Sequence, residues 1–173
     1  MKKFNIIATA IIAGTLSASA LAYDGQVKFV GKITDETCTV TNNPTNPLTV
    51  TLGSVAKSAF TGVGVSASTT KFTLALTACP VAATKAKVKF DGAPHLDNAD
   101  FLALTDETGV ATGVGVEILD VKSATIPMNT ASMEYPLVAG ANNLDFKARY
   151  TSTAATVGTG PANASTNFTI NYN

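Results

Sequence analysis

Short runs in which apolar and polar residues alternate recur along the chain. Val27-Lys28-Phe29-Val30-Gly31-Lys32-Ile33 places Val27, Phe29 and Ile33 on one side, and Leu48-Thr49-Val50-Thr51-Leu52 and Phe72-Thr73-Leu74-Ala75-Leu76 repeat the pattern. Val88 with Phe90 follows, then Val114-Gly115-Val116-Glu117-Ile118, Leu144-Asp145-Phe146-Lys147-Ala148-Arg149-Tyr150 and Phe168-Thr169-Ile170-Asn171-Tyr172. A period of two built from Val, Thr, Ile and Phe predicts strands with one buried face. Turn formers separate the runs: Asn42-Asn43-Pro44, Asp91-Gly92-Ala93-Pro94, Gly140-Ala141-Asn142-Asn143 and Gly158-Thr159-Gly160-Pro161. About seven strands in about 150 residues predict an all-β sandwich. A short turn near Asn98 to Leu104 is the one helical candidate, and the Ala-, Thr-, Ser- and Gly-rich residues 151–167 predict a long connector.

The N-terminal residues read as an address. Lys2 and Lys3 precede the apolar run Ile6 to Ala13, and Ala20-Leu21-Ala22 offers the small-x-small pattern of a signal-peptidase site. The run is shorter than the about 20 residues of a membrane span. Residues 1–22 are therefore expected to be a signal peptide, leaving a mature chain that starts at Tyr23. Export makes a disulfide the natural state of Cys38 and Cys79, the only cysteines.

Composition narrows the function. Of 173 residues 46% are hydrophobic, with 12 basic against 12 acidic, so a basic surface for nucleic acid is not expected. Removing Lys2 and Lys3 leaves ten basic residues and a net charge of −2. The single His95 stands in a Pro- and Asp-rich loop with no G-x-S-x-G around any Ser. The spacing of Asp97, Asp100, Asp106 and Glu107 does not fit an EF-hand loop, and Gly113-Val114-Gly115 lacks the third glycine of a dinucleotide fingerprint. Lys85, Lys87 and Lys89 alternate with Ala86, Val88 and Phe90, as on the wet face of a strand. The two sequons at Asn163 and Asn167 are short enough to arise by chance. No catalytic, metal or cofactor site is expected, and the chain is read as a non-enzyme.

The ends carry the remaining signal. Val27 to Ile33 precedes Cys38, so it lies outside the disulfide loop and is tethered on one side only. Such a segment can pair with its own sheet or with another molecule's, because exposed sheet edges recruit strands.

The motifs resemble those of chaperone–usher fimbrial subunits, the pilins of the type 1 pilus kind. Gly31-Lys32-Ile33 followed by Cys38-Thr39-Val40 resembles the family's N-terminal pattern, and Phe72 to Leu76 followed by Cys79 resembles its F-x-(I/L)-x-L-x-x-C. Val114 to Asp120 is similar to V-G-V-x-I-x-D, and Phe146-Lys147-Ala148-Arg149-Tyr150 to F-x-A-R-Y. Penultimate Tyr172, with Gly160 at the fourteenth position counted from the end, resembles the C-terminal signature, while the eight residues from Tyr23 to Val30 make a short stretch ahead of Gly31.

The resemblance implies an incomplete immunoglobulin-like sandwich, completed by a donor strand from a neighbouring subunit. It implies that residues 23–37 form an N-terminal donor-strand extension and residues 38–173 the pilin domain. The donated residues would be Val27, Phe29, Gly31 and Ile33. A periplasmic chaperone would first meet the C-terminal strand through Phe168, Ile170 and Tyr172, holding the Asn173 carboxylate with its cations. At the outer-membrane usher the next subunit's extension would replace it, giving a head-to-tail polymer of identical or related pilins at the cell surface. A carbohydrate-binding tip adhesin or an adaptor of the same kind of fimbria is the alternative.

Overall fold

The alternating runs assemble into two antiparallel sheets. The structure, a computed structural model, describes residues 26–31 and 37–173, and the chain divides into two units, residues 1–33 and 34–173. In the second unit the strands are β1 (Thr39–Val40), β2 (Ser66–Cys79), β3 (Lys85–Asp91), β4 (Val114–Leu119), β5 (Tyr135–Pro136), β6 (Gly140–Ser152) and β7 (Asn167–Tyr172). One sheet has the order β1-β2-β6-β4 and the other β5-β3-β7. The predicted all-β sandwich is the observed class.

Facing residues of the two sheets make the core. Leu74 and Leu76 of β2, Leu144, Phe146 and Ala148 of β6, and Ala86, Val88 and Phe90 of β3 are all buried, at every second position as the pleat requires. Phe146 stands at the centre. Its ring lies 5.5 Å from Phe72 within its own sheet, and 5.2 Å from both Phe90 and Tyr135 across the interior. Each such aromatic pair contributes about 0.5–1.5 kcal/mol beyond the area it buries.

Strict alternation breaks at the end of β2. The β2–β6 register shifts between Leu76 and Cys79, where Ala78 adopts φ 50°. A bulge of this kind inserts one residue and reverses the facing of those that follow. Leu76 and Cys79, three apart, are thereby both buried, and Cys79 meets Cys38 in the disulfide, Cα to Cα 4.1 Å.

Several expectations are corrected. Leu48 to Leu52 is not a strand: Ser68 Oγ donates to the Leu52 carbonyl and Thr70 Oγ1 to that of Thr51 at 3.3 Å, so side chains rather than a backbone ladder hold the segment. Asn98 to Leu104 is no helix but a turn closed by Phe101 N–H to Asn98 C=O, and the one 3-10 turn among the described residues is Lys57–Ala59. The run around Val114 has two buried faces, because residues 101–103 and 124–126 cover the outer face and edge of β4. The connector begins two residues later than expected, since Thr151 and Ser152 belong to β6. Its remainder is fixed by Thr105 N–H to Asn163 C=O, Ala111 N–H to Pro161 C=O and the Tyr150 hydroxyl to Ala162 C=O.

Candidate functional site

β7 is an edge strand with a free side. It pairs with β3 in the register Phe90↔Phe168, Val88↔Ile170 and Ala86↔Tyr172. Asn173 and Lys85 exchange two backbone hydrogen bonds, at 2.9 and 3.1 Å. From that pair the antiparallel ladder alternates, so residues 167, 169, 171 and 173 bond to β3. The N–H and C=O groups of Phe168, Ile170 and Tyr172 therefore point to the open side. Among the described residues none of them has a backbone partner.

The side chains of these three residues tell the same story. They pack against the core cluster yet are only half-buried, whereas Val88 and Phe90 opposite them are 0% and 2% exposed. An apolar row beside unpaired backbone groups is a template for one more strand. The Tyr172 hydroxyl is buried and has no hydrogen-bond partner among the described residues, and burial pushes its pKa upwards. The backbone carbonyl oxygen of Asn173 accepts from Thr84 N–H, Lys85 N–H and Thr84 Oγ1, which fixes this end of β7.

In the first unit, residues 26–31 form no regular element. Val27 is 77%, Phe29 91% and Val30 86% exposed. A side chain added at Gly31 would meet no atom within 4 Å. Ile33, the fourth expected donor residue, lies outside the described residues, as do residues 1–25 and 32–36.

Of the expected C-terminal group, Phe168, Ile170, Tyr172 and Asn173 come together on β7, while Gly160 does not. It sits in the loop ahead of the strand, where a Cβ would collide with the Gly109 carbonyl oxygen and lie 2.8 Å from Ala111 N. Close backbone packing accounts for this glycine. His95 is a loop residue: its Nδ1 accepts from Asp97 N–H, and its Nε2 lies 3.4 Å from Thr153 Oγ1.

Sequence reasoning passed over a buried polar cluster. The Glu117 carboxylate of β4 accepts from Arg149 Nε at 2.7 Å, and from Thr151 Oγ1 and Thr125 Oγ1 at 2.6 Å each. Desolvation is the largest single influence and pushes its pKa up, but the three hydrogen bonds and the guanidinium charge together outweigh it and hold it below the ordinary value. The cluster clamps β4 to β6. The usable signal was the pairing of two motifs, since Glu117 stands directly opposite Arg149.

The fimbrial protein family model matches residues 27–173. The chain belongs to the fimbrial protein family. It is accordingly a structural subunit of a fimbria, exported to the cell surface. This fimbrial protein is 37% identical to the probable major fimbrial subunit LpfA of Escherichia coli O157:H7, over 99% of its own length and 97% of that protein's. It resembles the structure of an antigen and type I fimbria protein of Burkholderia pseudomallei with 33% identity and a TM-score of 0.61, over 80% of this chain and 91% of that one. The P pilus rod subunit PapA shares the fold, with a TM-score of 0.65 at 18% identity, over 79% and 99% of the two chains.

Proposed function

We propose that this fimbrial protein is a shaft subunit that polymerises by strand donation, residues 23–37 of one copy completing the 38–173 domain of the next. Val27, Phe29, Gly31 and Ile33 of the donor seat along β7, beside Phe168, Ile170 and Tyr172. The observation that carries this reading is the half-buried apolar row on an unpaired edge, in a chain that also presents an exposed alternating apolar segment. Before assembly a periplasmic chaperone fills the same edge, with its cations on the Asn173 carboxylate. At the outer-membrane usher the donor of the incoming subunit replaces it. The signal peptide, residues 1–22, is lost on export.

The direction of the donor follows from topology. Asn173 bonds to Lys85, six residues after Cys79, and Cys79 is bonded to Cys38, so the extension leaves the domain at the Asn173 end of β7. A donor parallel to β7 would bring two such ends together, and reciprocal exchange would close a dimer. A donor antiparallel to β7 enters at the Asn167 end, leaves the neighbour's own extension pointing onward, and generates an open fibre.

Deleting Tyr23 to Val30 tests the reading. Cells making the deleted chain are expected to hold it in complex with its periplasmic chaperone yet display no fibres of it. Normal fibres from that chain would overturn strand donation by these residues.

A further inference from the structure

The four most exposed large apolar side chains of the 34–173 unit stand near its two ends, while the less exposed Leu48 and Val121 do not. At the Cys38–Cys79 end, Val81 is 82% and Val138 65% exposed. Both sit in turns that are held in place. Ala83 N–H closes on Pro80 C=O, Leu137 N–H bonds to Thr84 C=O, and the Asn142 side chain brackets Val138 by its N–H at 2.9 Å and its C=O at 2.7 Å. The two turns flank the paired residues Cys79 and Gly140, which places both valines at the same end of the sheet.

At the opposite end, Leu96 is 100% and Val63 66% exposed. These also lean on one place, the exit of β6. Gly64 N–H bonds to Ser152 C=O, and the ring of His95 lies 3.4 Å from the Thr153 hydroxyl. The β6 strand, Gly140–Ser152, separates the two patches by about 40 Å.

We infer that these patches dock on each other, Val81 and Val138 of one subunit against Leu96 and Val63 of the next. The inference rests on the head-to-tail reading above. Between Ile33, the last seated donor residue, and Cys38 the chain has four residues, Thr34 to Thr37. Fully extended, the five steps reach no more than about 18 Å. A donor lying antiparallel to β7 puts Ile33 near the Asn167 end of its host, the end that carries Leu96 and Val63. The short tether therefore draws the valine end of the donor subunit onto the leucine end of its host. The occupant of each patch is a second copy of this chain, and the contact extends the donated strand into a joint that resists bending.

Charge exchange across the joint tests this. Fibres sheared from cells carrying Val81→Lys or Leu96→Asp alone are expected to be several-fold shorter than wild type, while fibres of the double variant recover most of their length. Binding of a synthetic peptide of residues 23–37 to the variant subunits should stay within twofold of wild type. Single variants with wild-type fibre length, or a double variant no better than the worse single one, would overturn the docking while leaving strand donation intact. Lower amounts of Val81→Lys subunit in the periplasm would assign that patch to the chaperone instead, and also overturn it. Failure of the peptide to bind the wild-type subunit would remove the head-to-tail reading itself.

Discussion

Glu117 shows how far a single residue departs from the pattern around it. Alternation places it on the polar side of its strand, where a carboxylate is expected in water. It is instead buried, because residues 101–103 and 124–126 fold over β4 from outside the strand's own period. Periodicity reports the faces of one strand and carries nothing about a loop that returns to cover it. The consequence is measurable. An unfolded glutamate titrates near pH 4.3, to a rough approximation, and Glu117 in the fold titrates lower. Above the unfolded value the ionised cluster contributes its full stability, and that contribution fades as the pH falls through the folded value. Glu117→Gln is expected to destabilise the subunit by about 1–3 kcal/mol at pH 7, leaving Arg149 without its carboxylate. The gap from wild type should narrow in acid, as read from melting temperatures of peptide-complemented subunits at neutral and low pH. Gly160 is the complementary case. Its place in a C-terminal signature was legible, but its cause, the backbone of residues 109–111 pressed against it, belongs to the tertiary fold.

At the scale of elements, the long strands were legible and the short ones were not. β2, β3, β6 and β7 each carry several alternating apolar residues that face a common core, so the period survives in the sequence. β1 and β5 are two residues long, too short to express a period at all. Leu48 to Leu52 alternates as well as any strand, and lacks only a backbone partner, which no local pattern encodes. The edge of β7 was legible in part: its apolar row stands in the sequence, whereas its free side follows from the sheet order β5-β3-β7. On the proposed reading donor and edge make a divided element, and a substitution at Gly31 separates its two halves. A Cβ there meets nothing within 4 Å in the unpolymerised chain, so Gly31→Val is expected to leave folding and chaperone binding unchanged. In the seated donor, the side chain must share a groove already floored by the core. Burial of Val27, Phe29 and Ile33 favours seating by about 1.5–3 kcal/mol each, and a clash of a few kcal/mol offsets much of that gain. Peptides of residues 23–37 carrying the substitution should bind at least tenfold more weakly to the wild-type subunit. Equal binding would place Gly31 outside the groove.

For the whole molecule, the disulfide would decide where load enters the domain in the proposed strand-donated fibre. On the proposed reading the extension joins the domain at Cys38, and beyond it the chain holds to β2 over a short stretch, Thr39 to Thr77 and Val40 to Leu76, with Thr41 N–H to Ala75 C=O and Ala75 N–H to the Asn42 side chain. So short a ladder would peel away easily, since few hydrogen bonds share the load. Cys38–Cys79 bypasses them and ties the extension directly to β2, which pairs with β6 along almost its full length. In that proposed fibre, tension reaches the central strands β2 and β6 of the larger sheet rather than its margin at β1. The same bond closes a loop with a sequence separation of 41 residues, which stabilises the fold by about 4 kcal/mol in the chain-entropy account. A sandwich with one open edge has little stability to spare, so this contribution weighs most on the subunit before it is complemented. Cys38→Ser is accordingly expected to cut recovery of the subunit from the periplasm several-fold, measured by quantitative blotting against a co-expressed standard. Those fibres that do assemble should extend and fail at lower force than wild type when single fibres are pulled. Unchanged recovery together with unchanged rupture force would mean that β1 carries the root of the extension unaided.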